Sequence, residues 1–238
     1  MNLLKLLRDN ADKAINNLRV ENKDTESDMY LYDVIDDNFG ISAIAFNKEL
    51  VALKGKKVNL RINSPGGDVF AGRAMATAIM NHGNVTAYID GLAASAATYV
   101  ALSAKEVHIS RGAMFMLHNA WAFSIGNKND LRNTADLLDK IDGTIVNDYK
   151  NKTGLDEKEI VAMMDSETWL TAQDALDKGF VDYIFEGAKA DSQWDLSAYA
   201  NAPKQADPNA EEDLTFTNEE HRDRQAQRLK LVAHNQIG

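Results

Sequence analysis

The stretch from residue 85 to residue 102, VTAYIDGLAASAATYVAL, constrains the fold more than any other part of the chain. It begins as an alternating run of β-branched and aromatic residues, breaks at Gly91, and continues as a helix-compatible run of small residues. Ser95 lies near the start of that helix. A serine at a strand-to-helix junction lies beside unpaired backbone amides, and flanking alanines leave room for a substrate backbone. The stretch therefore fits either an exposed nucleophile or a serine inside a buried, Ala-rich helix.

The chain on both sides of this stretch alternates short strands with helices. The hydrophobic periodicity predicts strands at 29–35, 58–62, 107–110, 113–118 and 181–185. It predicts helices at 41–53, 69–81, 129–150 and 156–164, and another that starts with a capping box at Thr171 and Asp174. Such alternation favours an α/β domain with a largely parallel sheet and helices covering its faces.

The two ends of the chain have a different character from this central domain, which we place at 29–187. Apolar residues three or four apart predict an amphipathic helix over 3–20, followed by a polar linker at 21–28. That helix either docks a partner or folds onto its own domain. Residues 188–238 are rich in charges and amides, which predicts a polar, flexible tail with a marginal helix at 218–233. The tail is either a disordered end or a removable or partner-binding extension.

The composition excludes several classes of function. A formal net charge of −10 with no basic block argues against binding to nucleic acid or to an anionic membrane. No apolar run reaches the roughly 20 residues that span a bilayer, and no signal-type segment begins the chain, so we expect a cytoplasmic protein. Cysteine is absent, so covalent chemistry would fall to Ser, Thr, Lys or a carboxylate.

Three further features are candidates for chemistry. The turn Asn63-Ser-Pro-Gly-Gly-Asp68 presents amides at a helix N-terminus, which suits a phosphate, a developing oxyanion or a purely structural turn. His118 ends a predicted strand and is the best general-base candidate among the histidines. Asp165 and Glu167 form the nearest downstream acidic cluster. No metal-ligand spacing such as HExxH occurs, and we expect neither a metal nor another cofactor.

These motifs together resemble one family. The turn at 63–68, the segment Gly91-Leu-Ala-Ala-Ser95-Ala-Ala, the segment Met116-Leu-His118-Asn119 and residues 167–182 occur in the order seen in the Clp-type serine peptidases. The resemblance extends over about residues 30–185. Within the family, the Glu-Thr-Trp-Leu-Thr-Ala form from Glu167 and the short Asn-rich loop after His118 look most similar to the phage-encoded head maturation peptidases.

The resemblance implies a role for each motif residue. Ser95 corresponds to the nucleophile and His118 to the general base, and the amides of Gly67 and Ala96 correspond to the oxyanion hole. Glu167 aligns best with the family's catalytic acid, which is usually Asp, and Asp165 is the alternative. The implied fold is the crotonase-like, ClpP-like ββα superhelix with a projecting handle helix after His118.

The resemblance also implies partners and a role. The expectation is a self-associating, ring-forming serine endopeptidase that cleaves capsid or scaffold proteins during phage or prophage head maturation, in the host cytoplasm or inside the assembling procapsid. The helix and linker predicted at the N-terminus differ from the family's axial loops, which argues against a Clp ATPase partner. Two alternatives remain: a crotonase-like acyl-CoA enzyme, and an inactive or weakly active ClpP-like assembly protein.

Overall fold

The computed structural model describes residues 3–10, 18–187 and 194–203 of the chain. The chain divides into two units, Met1–Pro203 and Lys204–Gly238, and everything described here belongs to the first. The helix predicted at 218–233 lies outside the described residues.

One mixed sheet forms the centre of this unit. Its strands in the described residues are β1 Arg19–Asn22, β2 Glu26–Leu31, β3 Lys57–Ser64, β4 Val85–Ala94, β5 Glu106–Ser110, β6 Met114–Leu117, β7 Thr168–Thr171 and β8 Tyr183–Phe185. The order is β1-β2-β3-β4-β5-β8, with β6 joined to β4 and β7 joined to β6. The β1–β2 and β6–β7 pairs are antiparallel and the other pairs are parallel. The predicted α/β fold with a largely parallel sheet is therefore confirmed.

Helices follow the strands as the alternation predicted. They are α1 Leu3–Asp9, α2 Ala43–Ala52, α3 Val69–His82, α4 Ala96–Leu102, α5 Lys128–Thr153, α6 Glu157–Asp165 and α7 Ala172–Asp177. The Asp68 side chain caps α3 by accepting a hydrogen bond from the Ala71 amide, and the predicted capping box of Thr171 and Asp174 is present. In the part of the chain covered by these helices and strands, no helix is long and apolar enough to span a membrane.

Strand β4 corrects the expectation of a break at Gly91. The strand continues through Gly91 to Ala94 and changes partner on the way. Its first half pairs with β5, from Thr86 to Ile89, and residues 92–94 pair with β6. Because the second partner supplies hydrogen bonds beyond the glycine, the strand persists, and the chain turns at Ser95 instead.

Helix α5 projects from the unit. Its buried residues are Ile145, Val146 and Tyr149, all in the C-terminal half, whereas Leu131 and Leu137 in the N-terminal half are about half exposed, at 48% and 51%. The 26 residues of this helix extend about 39 Å. The predicted handle helix is therefore present, and the leucines Leu131 and Leu137 of its mostly polar N-terminal half are partly uncovered in one copy of the chain.

The N-terminal expectations need correction. Residues 21–28 are not a linker, since β1 and β2 form an antiparallel pair with Arg19 opposite Tyr30 and Asn22 opposite Ser27. The helix predicted over 3–20 ends at Asp9, and strand β1 occupies the end of that range. Side chains along β2 alternate between buried and partly buried, with the two-residue period of a strand. The residues of β2 form a strand although several of them are polar. Leu6 of α1 is fully buried, so this helix folds onto its own unit.

Residues 194–203, which we term the C-terminal segment, also depart from expectation. Although the sequence predicted a flexible tail from residue 188, Trp194, Leu196, Ala198 and Tyr199 are buried. They form a second hydrophobic cluster together with Leu6, Val34, Leu92, Ala94 and Met116. Apolar burial against the sheet holds this segment despite its polar surroundings in the sequence.

Candidate active site

Ser95 occupies the junction between β4 and α4. Its φ of 54° and ψ of −124° are unusual for a residue other than glycine. The Ser95 amide donates to the Met116 carbonyl at 2.9 Å, and the Ser95 carbonyl accepts from the Thr98 hydroxyl at 2.6 Å. That hydroxyl also lies 2.6 Å from the Tyr149 hydroxyl of α5. Contacts from β6, α4 and α5 therefore hold the serine in a strained conformation of the kind found at functional sites.

His118 follows the last residue of β6 and faces Ser95. Its Nε2 atom lies 2.8 Å from the Ser95 Oγ atom. The side chain is buried, and burial lowers the pKa of His118 to about 4, while the negative charge of Glu167 acts in the opposite direction. The imidazole is therefore neutral near pH 7 and available to accept the serine proton.

Glu167 lies between α6 and β7, is 9% exposed and has a φ of 46°. Its Oε1 atom accepts hydrogen bonds from the Asn201 amide at 2.7 Å and from the Trp169 indole at 3.3 Å, and its Oε2 atom accepts one from the Ala200 amide at 3.1 Å. The carboxylate is thus buried and oriented by donors, and its charge acts on His118.

Asp165, the alternative acid, has different surroundings. It is the last residue of α6, it is exposed, and its carboxylate accepts a hydrogen bond from the Asn119 side-chain amide at 2.7 Å. Asp165 therefore ties the loop after His118 to α6.

The glycine-rich turn at residues 63–68 joins β3 to α3 directly against the serine. Gly66 has a φ of 86°, and a Cβ atom added there would lie 2.7 Å from the Ser95 Cβ and 2.9 Å from the Ala96 nitrogen. Gly67 lines the same cleft as Ser95, and Ala96 is the first residue of α4, where helix amides have no intrahelical acceptor. The backbones that carry Gly67 and Ala96 therefore approach each other at Ser95.

A cleft of about 690 Å³ opens beside Ser95. Its walls are mainly apolar and come from the start of α3, the loop after His118 and helix α5; they include Phe70, Trp121, Phe123, Leu137, Leu138 and Ile141. Ser95, the candidate nucleophile, is therefore accessible from a cleft that is large enough to hold a peptide side chain.

The sequence reasoning missed the contribution of the C-terminal segment to this site. The Tyr199 ring lies edge-on to the His118 ring, with centroids 5.7 Å apart and an interplanar angle of 74°. The segment's amides also bind Glu167. The available signal was a tryptophan and a tyrosine, at 194 and 199, within a stretch otherwise dominated by small and polar residues.

Comparison with known proteins identifies relatives over most of the chain. The family model for Clp protease matches residues 13–188. The ATP-dependent Clp protease proteolytic subunit 1 of Leifsonia xyli subsp. xyli is 33% identical over 162 residues, which cover 66% of this chain and 81% of that protein. The proteolytic subunit 2 of Tropheryma whipplei is 31% identical over 161 residues, which cover 66% of this chain and 89% of that protein.

A solved structure shares the fold. A ClpP1 mutant from Listeria monocytogenes superposes with a TM-score of 0.60 at 22% identity, over 67% of this chain and 91% of that one. The family match spans the sheet, the glycine-rich turn, Ser95, His118 and Glu167. The chain therefore belongs to the Clp protease family.

Proposed function

We propose that the protein is a serine endopeptidase with Ser95 as nucleophile, His118 as general base and Glu167 as the acid. The observation that carries this proposal is the 2.8 Å contact between His118 Nε2 and Ser95 Oγ, made at a strained strand-to-helix junction. The burial of His118, which keeps its imidazole neutral, supports the assignment of the base.

In the first half of the reaction, the Ser95 Oγ atom bonds to the carbonyl carbon of a peptide while its proton passes to His118 Nε2. The amides of Gly67 and Ala96 hold the oxyanion that forms. The carboxylate of Glu167 stabilises the imidazolium. When the C–N bond breaks, His118 returns the proton to the leaving amine. In the second half, water attacks the acyl carbon while its proton passes to His118. When the ester bond to Ser95 Oγ breaks, His118 returns this proton to Ser95 Oγ and the carboxylic acid product leaves. No step requires a metal or another cofactor.

The acid assignment rests on burial and charge. Glu167 is 9% exposed and its charge acts on His118, whereas the exposed Asp165 is engaged by Asn119. A buried, oriented carboxylate interacts more strongly with an imidazolium than one in water does. Glu167 is therefore the proposed third member of the triad.

The substrate is a polypeptide with an apolar side chain next to the bond that is cleaved. The apolar walls of the cleft beside Ser95 support this specificity, since a side chain of that kind loses unfavourable contact with water on binding. The match to the Clp protease family supports peptide-bond hydrolysis as the reaction.

The biological role that we propose is head maturation in a tailed phage or prophage, with capsid or scaffold proteins as substrates. The sequence features that support it are the Glu-Thr-Trp-Leu-Thr-Ala form from Glu167 and the Asn-rich loop after His118. Self-assembly into a ring is part of the proposal, supported by the uncovered apolar residues in the N-terminal half of α5. An ATPase partner is not part of it.

The activity is tested with Ser95→Ala, with Ser103→Ala as a matched control at the other end of α4. We expect a fluorophosphonate probe to label the wild-type and Ser103→Ala proteins but not Ser95→Ala. The rate of peptide hydrolysis should fall at least about 10⁴-fold in Ser95→Ala. Labelling that persists in Ser95→Ala would rule out Ser95 as the nucleophile that reacts with the probe. Peptide hydrolysis by the unlabelled variant would rule out the mechanism.

The role is tested by determining whether capsid or scaffold genes lie beside the gene for this chain, and by co-expressing the protein with their products. Cleavage of either one, dependent on Ser95, is the expected result. Intact capsid and scaffold proteins, together with active hydrolysis of model peptides, would retain the peptidase and exclude the maturation role.

A further inference from the structure

We propose that the C-terminal segment, residues 194–203, is a positioning element of the active site and that Tyr199 is its central residue. This inference rests on the proposed peptidase function. The segment contacts three separate parts of the proposed machinery: the glycine-rich turn, the His118 ring and the Glu167 carboxylate. The segment joins them although they lie far apart in the sequence.

The first contact is with the glycine-rich turn. The Trp194 indole donates to the Asn63 carbonyl at 3.2 Å, and the Tyr199 hydroxyl donates to the Pro65 carbonyl. Both carbonyls lie within four residues before Gly67, whose amide is a proposed oxyanion donor. A planar peptide unit links the Pro65 carbonyl to the Gly66 amide. The next unit, which contains the Gly67 amide, is held separately, since the Gly66 carbonyl accepts from the Ile35 amide at 2.9 Å. Tyr199 therefore supports the turn one peptide unit before the proposed oxyanion donor.

The second contact is with the general base. The Tyr199 ring meets the His118 ring edge-on at 5.7 Å and the Trp169 ring at 5.6 Å. Tyr199 is 4% exposed, so it shields one side of the imidazole from water. Among the described residues, the titratable groups that act on or contact His118 are Glu167, which precedes β7, and Tyr199 itself. The tyrosine thus contributes to the burial that keeps the base neutral.

The third contact is with the acid. The amides of Ala200 and Asn201 donate to the two oxygens of Glu167, and the Asn201 side chain donates to the Ser166 carbonyl at 2.8 Å. Backbone amides in a packed segment cannot rotate away as free side chains do. These donors therefore hold the carboxylate in one orientation relative to His118. Hydrogen-bond donors around other reactive groups fix their orientation in the same way.

The segment supports the site without covering it. The cleft beside Ser95 is lined by residues 67–70, by Ser95, by residues 120–123 and by α5, and its lining does not include the C-terminal segment. Substrate can therefore reach Ser95 while the segment stays in place. This arrangement distinguishes a positioning element from a lid or an inhibitory segment.

The test compares two substitutions of Tyr199 with a matched control in the full-length protein. Tyr199→Phe removes only the hydroxyl, and Tyr199→Leu also removes the ring. The control is Tyr32→Phe, because the Tyr32 hydroxyl bonds to Asp90 at 2.5 Å, away from the residues of the proposed triad. For each protein we would measure kcat and KM with a fluorogenic peptide, the pH dependence of kcat/KM, the His118 titration by NMR and the thermal unfolding midpoint.

Tyr199→Phe should lower kcat about tenfold at nearly constant KM and leave the His118 titration in place, since it loosens the turn but keeps the ring. Tyr199→Leu should lower kcat about 100-fold and raise the His118 pKa from about 4 towards the ordinary value of 6.5, because water reaches the imidazole. A raised pKa leaves less neutral imidazole in acid. Activity at pH 5 should therefore fall more than activity at pH 8.

Two results would overturn the inference: a Tyr199→Phe kcat equal to that of Tyr32→Phe, or an unchanged His118 titration in Tyr199→Leu. If Tyr199→Leu does not fold, the kcat of Tyr199→Phe decides. If the wild-type protein hydrolyses no peptide, the proposed function fails, and the NMR titration still decides whether Tyr199 controls His118.

Discussion

At the scale of single residues, backbone strain coincides with the proposed chemistry. Among the described residues, the positive φ angles outside glycine belong to Ser95 and Glu167. Each such conformation costs about 1–3 kcal/mol and persists only where neighbouring contacts enforce it. The Met116 carbonyl holds the Ser95 amide, and the Met164 carbonyl holds the Glu167 amide. The strained backbone therefore lowers the stability of the fold at the proposed nucleophile and at the proposed acid, where the direction of the side chain matters most.

The identity of the acid is a prediction at this scale. Glu167→Gln should lower kcat roughly 10²- to 10⁴-fold, because a neutral amide no longer stabilises the imidazolium and its NH₂ group faces a backbone donor. Asp165→Asn is the matched control and should change kcat less than about threefold, since Asp165 is exposed and bonds to Asn119. Steady-state kinetics of both variants decide. A large loss in Asp165→Asn with an active Glu167→Gln would assign the acid to Asp165.

Local motifs predicted where the reactive residues lie but left the choice of acid open. Ser95, His118 and the turn at 63–68 each stand at the end of a strand, and that position is readable from the sequence. The choice between Asp165 and Glu167 depends on Asn119, Ala200 and Asn201, which are 33 or more residues away along the chain. No local pattern contains those contacts.

At the scale of elements, length and composition together determined which elements were predicted. The long periodic helices α3 and α5 were predicted to within a few residues. The four-residue strands β1 and β7, which contain polar residues, were missed, whereas the equally short but wholly apolar β6 was predicted. The extension of β4 past Gly91 was missed for a related reason, since it depends on pairing with β6. Tertiary pairing overrode the local preference of glycine.

Helix α5 carries the prediction at this scale. Ile125, before the helix, is 82% exposed and Leu131 is 48% exposed, which leaves apolar surface that a second copy of the chain can cover. We expect the Ile125→Asp/Leu131→Asp double variant to reduce self-assembly, measured by analytical ultracentrifugation, while Val51→Asp, a 71% exposed position on α2, assembles normally. Assembly that survives the double variant and is lost in Val51→Asp would place the interface on α2.

At the scale of the whole unit, the two distant ends of the described chain meet behind the active site. Leu6 of α1 and the apolar residues of the C-terminal segment share one hydrophobic cluster with Leu92 and Met116. The same strands carry Ser95 and His118 at their ends. The sequence predicted an amphipathic helix at the N-terminus but not the segment against which it packs. The C-terminal segment lies at the other end of the described chain, and its few apolar residues alone do not predict a packed structure.

Asn10 links the two ends and provides the prediction at this scale. It is 2% exposed; its side-chain amide donates to the Leu6 carbonyl at 2.8 Å and to the Asp195 carbonyl at 2.9 Å, and its Oδ1 atom accepts from the Asp195 amide at 2.6 Å. Asn10→Ala leaves buried polar groups without partners, so the free energy of unfolding should fall by about 2 kcal/mol and the thermal midpoint by roughly 5 °C.

Because Asp195 is the second residue of the C-terminal segment, which contacts Glu167 and His118, Asn10→Ala should also lower kcat several-fold when kcat is measured well below the unfolding midpoint. Asn133→Ala is the control, since Asn133 is exposed on α5 and its loss should change stability by less than about 0.5 kcal/mol. Calorimetry and steady-state kinetics on the same preparations separate the two effects. A lowered midpoint with unchanged kcat would show that α1 stabilises the fold without acting on the site, and an unchanged midpoint would show that the link between the two ends contributes nothing.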